Sequence, residues 1–134
     1  AALRVGYGVM HAAVADALNR VRQPFNVNSL AQAAALAALA DTAYVDESRA
    51  LNREGLRQLA AGFDALRLSH VPSHANFVLV NVGDAAAVNA ALLAQGVIVR
   101  PVANYGLPSF LRVTVGLPAE NARFLAALRT ALRR

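Results

Sequence analysis

The chain has no cysteine and no lysine, and the two absences exclude different kinds of chemistry. Without cysteine, disulfide bridges, thiolate nucleophiles and cysteine-based zinc sites are excluded. All 13 basic residues are arginine, so no lysine amine is available for a Schiff base. Any reaction of that type needs a lysine from polypeptide outside these 134 residues.

Aromatic residues are scarce as well, at 6% of the chain with no tryptophan. The formal net charge of +5 would suit a nucleic-acid partner, for which a basic patch interleaved with stacking rings is typical. The arginines are instead scattered along the chain, and only Arg133 and Arg134 are adjacent. We therefore expect no nucleic-acid partner.

Long apolar runs are absent, although 57% of the residues are hydrophobic. No window approaches the ~20 uninterrupted apolar residues that a membrane span requires. The residues around Arg4 and Gly6 also lack the apolar stretch and cleavage site of a signal peptide. We expect a soluble cytoplasmic protein without a membrane partner.

Histidines and carboxylates predict neither a metal site nor a catalytic group in this chain. His11, His70 and His74 do not form a ligand spacing on any one predicted element. His70 and His74 flank a turn, in which we expect both to be solvated. The eight acidic residues show no Ser–His–Asp or paired-carboxylate spacing.

The first third of the chain predicts one strand and two helices. Residues 3–9 have the composition of a short strand, and apolar residues at helical spacing follow over residues 12–21. Asn28 or Ser29 can cap a second helix that runs to about Ala40. This second helix has no polar face, which is typical of a helix that is buried or faces a partner.

From Asp41 the pattern changes to one long amphipathic helix of about six turns, solvated on one side. Helices are also predicted after Asp84 and from Pro118. Strands are predicted over residues 76–82, 97–102 and 110–115. This order predicts an α/β fold, with an α+β small domain whose helices cover one face of a small sheet.

Two arginines fall on these predicted strands. Alternation over residues 110–115 puts Leu111 on one face and Arg112 on the other, and Arg100 lies in the preceding strand. If the two strands pair, the guanidinium groups would present forked donors to one carboxylate or phosphate. The other interpretation is that each arginine lies at a strand edge with its charge in water, and the same interpretation applies to Arg4.

Longer motifs carry a resemblance to a known family. Residues 3–7 (LRVGY) resemble the segment just downstream of the cofactor lysine in pyridoxal-phosphate aminotransferases of fold type I. The rest is similar to their histidinol-phosphate aminotransferase branch in four stretches: RQPFNVN (22–28), PSHANFV (72–78), GVIVRP (96–101) and YGLPSFLRVTVG (105–116). The resemblance extends over essentially the whole chain and implies the C-terminal portion of such an enzyme.

The resemblance implies roles for five residues. Arg4 matches the arginine that binds the cofactor phosphate, and Arg112 matches the arginine that binds the anionic group of the substrate. Arg100 matches a second phosphate-binding arginine of this branch. Asn76 and Tyr105 lie in family-like motifs near the expected position of the substrate.

The resemblance also implies how the chain is divided. Residues 1–43 would be the end of the large domain that binds pyridoxal phosphate, and residues 44–134 the interdomain helix with the whole small domain. The intact enzyme would be a cytoplasmic homodimer that moves an amino group between glutamate and imidazole-acetol phosphate, in histidine biosynthesis. Its Schiff-base lysine would precede residue 1, so we expect this chain alone to be inactive and to bind no cofactor.

Two alternatives stay open. A related aromatic aminotransferase or threonine-phosphate decarboxylase would keep the fold and change the substrate, although Arg100 beside Arg112 favours a phosphorylated one. The alternative of another class is a non-catalytic α/β interaction module, in which the apolar residues 27–40 would form a self-association face.

Overall fold

The computed structural model describes residues 3–132, and the chain divides into two compact units, Ala1–Asp46 and Glu47–Arg134. The boundary between the two units follows residue 46, whereas the sequence predicts a boundary after residue 43. That the units are parts of a large and a small domain stays a prediction. Within the described residues, no helix has both the length and the apolar composition needed to cross a bilayer.

The first unit contains an extended segment and two helices, α1 (Ala12–Val21) and α2 (Ser29–Ala40). Both helices begin at a side chain that accepts a hydrogen bond from the first turn. Nδ1 of His11 accepts the Ala13 amide at 3.3 Å, and Oδ1 of Asn28 accepts the Ala31 amide at 2.8 Å. The predicted bounds of the two helices are confirmed.

The strand predicted over residues 3–9 is wrong, because this segment has no strand structure. A strand is held by hydrogen bonds to a neighbouring strand, and the described part of the first unit contains no second strand to pair with. Arg4 also adopts the left-handed backbone region, with φ of 55°, which interrupts the extended conformation near its start.

Helix α2 leaves most of its apolar surface uncovered. Only Ala31 is buried, whereas Leu30, Leu36 and Leu39 are 76%, 71% and 55% exposed. Isolated exposed leucines are common, but a helix apolar on every side normally packs against other elements. The prediction that α2 is buried or faces a partner therefore stays a prediction.

An antiparallel sheet with strand order β1-β2-β4-β3 forms the centre of the second unit. Its strands are β1 (His70–Val71), β2 (Phe77–Asn81), β3 (Arg100–Pro101) and β4 (Phe110–Thr114). Because β4 lies between β2 and β3, its residues Leu111 and Arg112 have paired neighbours on both sides. Alternate residues of β2 and β4 are buried on one face of the sheet, namely Val78, Val80, Leu111 and Val113.

Three helices pack on that buried face: α3 (Thr42–Ala65), α4 (Ala85–Ala94) and α5 (Pro118–Leu132). Asp84 caps α4 by accepting the Ala87 amide at 3.0 Å. Gly96 follows the end of α4 with φ of 70°, a conformation that favours glycine. The predicted α/β fold, with helices on one face of a small sheet, is confirmed.

The sheet differs from the prediction at its two edges. The strand predicted over residues 97–102 is only two residues long, Arg100–Pro101, and the proline cannot donate a ladder hydrogen bond. The two-residue strand β1 was not predicted, because alternation cannot show over so short a segment.

His70 belongs to β1 and is half-buried, with its ring centroid 5.6 Å from that of Phe63. The expectation that His70 is solvated is therefore wrong. His74 is exposed, as expected.

Helix α3 approaches the end of β4 closely at Gly55. This glycine is buried, and a Cβ atom there would overlap Cγ1 of Val115. The buried side chain of Asn121 bonds in the same place: its Oδ1 accepts the Gly116 amide at 2.9 Å, and its Nδ2 donates to Oε1 of Gln58 at 3.0 Å. Together these contacts hold the end of β4 against α3 and α5.

We expect Gly55→Ala to lower the free energy of unfolding by about 1–3 kcal/mol, because its methyl group would press on a branched side chain. Gly62→Ala on the same helix is the comparison, since its methyl group would overlap the end of Leu125, a half-exposed side chain with one more rotatable bond than valine. That variant should lose less stability, because Leu125 can move aside and alanine also gains about 1 kcal/mol of helix propensity over glycine. Urea denaturation measures both values, and equal losses would contradict the close contact at Gly55.

Candidate anion-binding site

The sheet face turned away from the helices carries the candidate site. We call it the open face. Arg112 lies on it at the middle of β4, between two buried core residues. The predicted alternation along this strand is confirmed. The open face is formed by the residues of β2 and β4 that alternate with the core residues: Phe77, Leu79, Asn81, Phe110, Arg112 and Thr114.

The pairing of β3 with β4 sets Arg100 directly opposite Arg112. On the other side of β4, Leu79 of β2 is the direct partner of Arg112. Side chains of directly opposed residues lie on the same face of a sheet, with their Cβ atoms about 5 Å apart. The two arginines therefore start from neighbouring positions on the open face.

Neither arginine has a carboxylate partner within residues 3–132. Like charges that oppose each other directly across two strands repel and destabilise the pairing. Arg112 is half-buried, so water screens this repulsion less than it would for two exposed side chains. An anion bound by both groups would offset the repulsion and accept their hydrogen bonds.

The guanidinium group of Arg112 packs on an aromatic ring. Its Cζ lies 5.2 Å from the ring centroid of Phe77, within the range of a cation–π contact. The Nε atom of Arg112 is buried and has no hydrogen-bond acceptor among the described residues. Leaving a buried donor without an acceptor lowers the stability of a protein by about 1–3 kcal/mol. The two terminal nitrogens of Arg112, Nη1 and Nη2, are not among the buried atoms without a partner, so they can donate hydrogen bonds to a ligand.

The Arg112 guanidinium and the strand that carries Arg100 lie on opposite sides of β4. Phe77, which contacts the Arg112 guanidinium, belongs to β2, whereas Arg100 is exposed on β3. An anion that contacts both arginines must therefore lie above β4. Adjacent strands are about 4.8 Å apart, so β2 and β3 lie about 9.6 Å apart on either side of β4, and two long arginine side chains would have to reach inward to share one phosphate.

The other two predicted substrate residues lie at the margins of the sheet. Asn76 is exposed directly before β2, and its carbonyl accepts the Val115 amide at 2.9 Å. Tyr105 ends the short 3-10 helix Ala103–Tyr105 and is 67% exposed. In the part of the chain that the structure describes, no hydrogen bond or ring contact joins either residue to Arg100 or Arg112. Their contact with substrate stays a prediction.

Arg4 belongs to the first unit, where it is exposed. Its guanidinium is a suitable donor for the phosphate of the cofactor that the resemblance implies. The aldehyde of pyridoxal phosphate needs a lysine amine, which this sequence does not contain. The residues of this chain therefore fit the phosphate end of the cofactor and not its reactive end.

Phe77 is the residue of this site that the sequence analysis did not single out. It occurs in the PSHANFV motif, but its contact with Arg112 depends on the register of β2 against β4. Alternation shows which face of a strand a residue occupies, and it does not show which residues become neighbours.

Comparison with known proteins decides the family. The profile described as aminotransferase class I and II matches residues 1–128. The chain belongs to this family. Family membership favours an enzyme over the non-catalytic interaction module that the sequence analysis left open.

Individual relatives of this aminotransferase chain agree with the family assignment. Histidinol-phosphate aminotransferase 2 of Pseudomonas fluorescens (strain Pf0-1) is 64% identical over 135 residues, which cover 100% of this chain and 36% of the relative. The structure of the histidinol-phosphate aminotransferase from Clostridium acetobutylicum has a TM-score of 0.79 at 26% identity, covering 90% of this chain and 38% of that one.

A further solved structure contains the cofactor. The histidinol-phosphate aminotransferase from Sinorhizobium meliloti, in complex with pyridoxal-5'-phosphate, has a TM-score of 0.76 at 28% identity, covering 90% of this chain and 34% of that one. This aminotransferase chain thus spans little more than a third of the length of the relatives described here.

We expect inorganic phosphate to raise the melting temperature of this chain, because a ligand of the native state stabilises it. Arg100→Gln should lose most of that rise. In the absence of phosphate, the same variant should melt no lower than the parent, since a repelling charge is gone. Thermal denaturation with and without phosphate measures both effects.

Arg129→Gln is the control for general salt effects, because Arg129 is an exposed arginine on α5 of the same unit. It should respond to phosphate as the parent does. An equal response in the parent and both variants would contradict an anion site at Arg100.

Proposed function

We propose that this chain provides the substrate-anion site of a pyridoxal-phosphate-dependent histidinol-phosphate aminotransferase. The reaction transfers an amino group between glutamate and imidazole-acetol phosphate, in histidine biosynthesis. Membership of the aminotransferase family supports the reaction type. The names of relatives at up to 64% identity support the substrate. The structural observation that carries the proposal is the opposed pair of Arg100 and Arg112 on the open face.

A phosphate monoester suits this pair better than a carboxylate does. It carries up to two negative charges and three acceptor oxygens, so it can receive hydrogen bonds from two guanidinium groups at once. Arg112 is half-buried, which strengthens its attraction for an anion, and Arg100 adds a second positive charge from the neighbouring strand. In this proposal Arg112 makes the less solvated contact and Arg100 provides selectivity for a doubly charged anion.

The role of the two arginines is to orient the substrate. With its phosphate held above β4, the substrate can place its reacting carbon in only a small region. Restricting a reactant in this way removes much of the entropic part of the activation barrier. Asn76 and Tyr105 would contact the substrate beyond its phosphate, and neither is assigned a part in bond making.

Pyridoxal phosphate supplies the electron sink that amino-group transfer requires when it is bound. In this chain Arg4 would hold the cofactor phosphate through charge-assisted hydrogen bonds. The amine for the cofactor aldehyde must come from polypeptide outside these 134 residues, so the chain alone should be inactive. The proposal includes a cytoplasmic homodimer of the longer protein, in which the small domain closes over the site and excludes water.

The substrate assignment is tested with the full-length protein that contains this chain. Histidinol phosphate and phenylalanine are compared as amino donors, with 2-oxoglutarate as acceptor. We expect a much higher kcat/KM for histidinol phosphate, because it alone presents a phosphate to the two arginines. A preference for phenylalanine would instead favour an aromatic aminotransferase, and release of carbon dioxide from threonine phosphate would favour the decarboxylase.

Arg112→Ala should raise the KM for histidinol phosphate about 10- to 100-fold, since it removes charge-assisted hydrogen bonds to the substrate anion. Steady-state kinetics of the full-length variant measure the change. Arg129→Ala, which removes an exposed arginine of the same unit, should leave KM at the parent value. An unchanged KM in Arg112→Ala would contradict the role assigned to Arg112.

A further inference from the structure

We propose that Phe77 is a positioning residue for Arg112, holding its guanidinium so that the two terminal nitrogens receive the substrate anion end-on. The inference rests on the proposed function, because it concerns the arginine that binds the anion there. It adds Phe77 to the site and assigns the binding of the anion to the terminal nitrogens of Arg112.

The register of the sheet places Phe77 diagonally to Arg112. The direct partner of Arg112 on β2 is Leu79, and Phe77 opposes Thr114. Diagonal neighbours on one face are about 7–8 Å apart at Cα, a distance that a long side chain and an aromatic ring can bridge. The observed separation of 5.2 Å between Cζ and the ring centroid shows that these two side chains do so.

This contact restricts the conformations of a side chain that would otherwise be mobile. An unpaired arginine on a sheet surface has four rotatable bonds and loses entropy when it binds a ligand. Packing on the half-buried ring of Phe77 orders the guanidinium before the ligand arrives. Less entropy is then lost on binding, so the anion binds more tightly than it would to a mobile arginine.

The burial of one of its nitrogens determines which edge of the guanidinium meets the anion. Nε is buried and without an acceptor in the described part of the chain, so an anion cannot reach it from the solvent. The terminal nitrogens are not buried in this way, and two parallel hydrogen bonds from them match two oxygens of a phosphate or carboxylate. The side of the guanidinium that is turned toward the ring of Phe77 is closed to ligand.

Phe77→Leu tests this role in the full-length protein, because leucine keeps the apolar bulk and loses the ring. We expect the KM for histidinol phosphate to rise about 5- to 20-fold, with kcat unchanged, since the range for a partly desolvated cation–π contact is of that size. Phe77→Tyr keeps the ring and should restore KM to near the parent value. Phe77→Met serves as a second ring-free variant should the leucine variant fold poorly.

Phe124→Leu is the control for loss of a ring elsewhere in the unit. Phe124 is a buried phenylalanine of α5 in the core on the helix side of the sheet. Its replacement should cost at least as much stability as Phe77→Leu in thermal denaturation and leave KM unchanged. A purely structural role for Phe77 would instead move KM equally in both leucine variants, and that result would overturn the proposal.

Combining Phe77→Leu with Arg112→Ala distinguishes failure of the positioning role from failure of the proposed function. Phe77→Leu should have no further effect on KM once Arg112 is gone, because the ring acts only through the guanidinium. If Arg112→Ala raises KM and Phe77→Leu does not, the positioning role is wrong and the proposed function stands. If Arg112→Ala leaves KM unchanged, the proposed function is wrong and the positioning role falls with it.

Discussion

The register of β4 between β2 and β3 is the constraint on which the site depends. It sets Arg112 opposite Arg100 on one side and opposite Leu79 on the other, and it leaves Phe77 one diagonal step away. A shift of the strand by one residue would turn Arg112 into the core and Leu111 to the solvent, and burying an unpaired guanidinium is very costly. The residues that form the core therefore also fix the position of the charges.

The two faces of the sheet have opposite energetic characters. On the helix side, buried valines and leucines pack against α3, α4 and α5, and Asn121 satisfies its polar atoms within the same region. On the open face, a half-buried arginine has a buried nitrogen without an acceptor and a like charge opposite to it. Local costs of this kind are expected at functional sites, where a ligand supplies the missing partner.

Local signals predicted the helices well, because caps and periodicity lie within a few residues of each other. Asn28, Asp84 and Pro118 all act where their residue types indicate. The strand predicted over residues 3–9 failed because pairing is not a local property, and the diagonal contact of Phe77 with Arg112 needed the register. Alternation predicted the face that Arg112 occupies, whereas its opposition to Arg100 and its packing on a ring both depended on the register.

A double-mutant cycle on the KM for histidinol phosphate, the proposed substrate, tests most directly whether Arg100 and Arg112 bind one anion together. Arg100→Gln, Arg112→Gln and the double variant are measured in the longer enzyme of which the proposal makes this chain a part. Two groups that share one bound phosphate should be coupled, so the two effects should depart from additivity by more than about 0.5 kcal/mol. Additive effects within that margin would show that the arginines act at separate places, and would contradict the shared site.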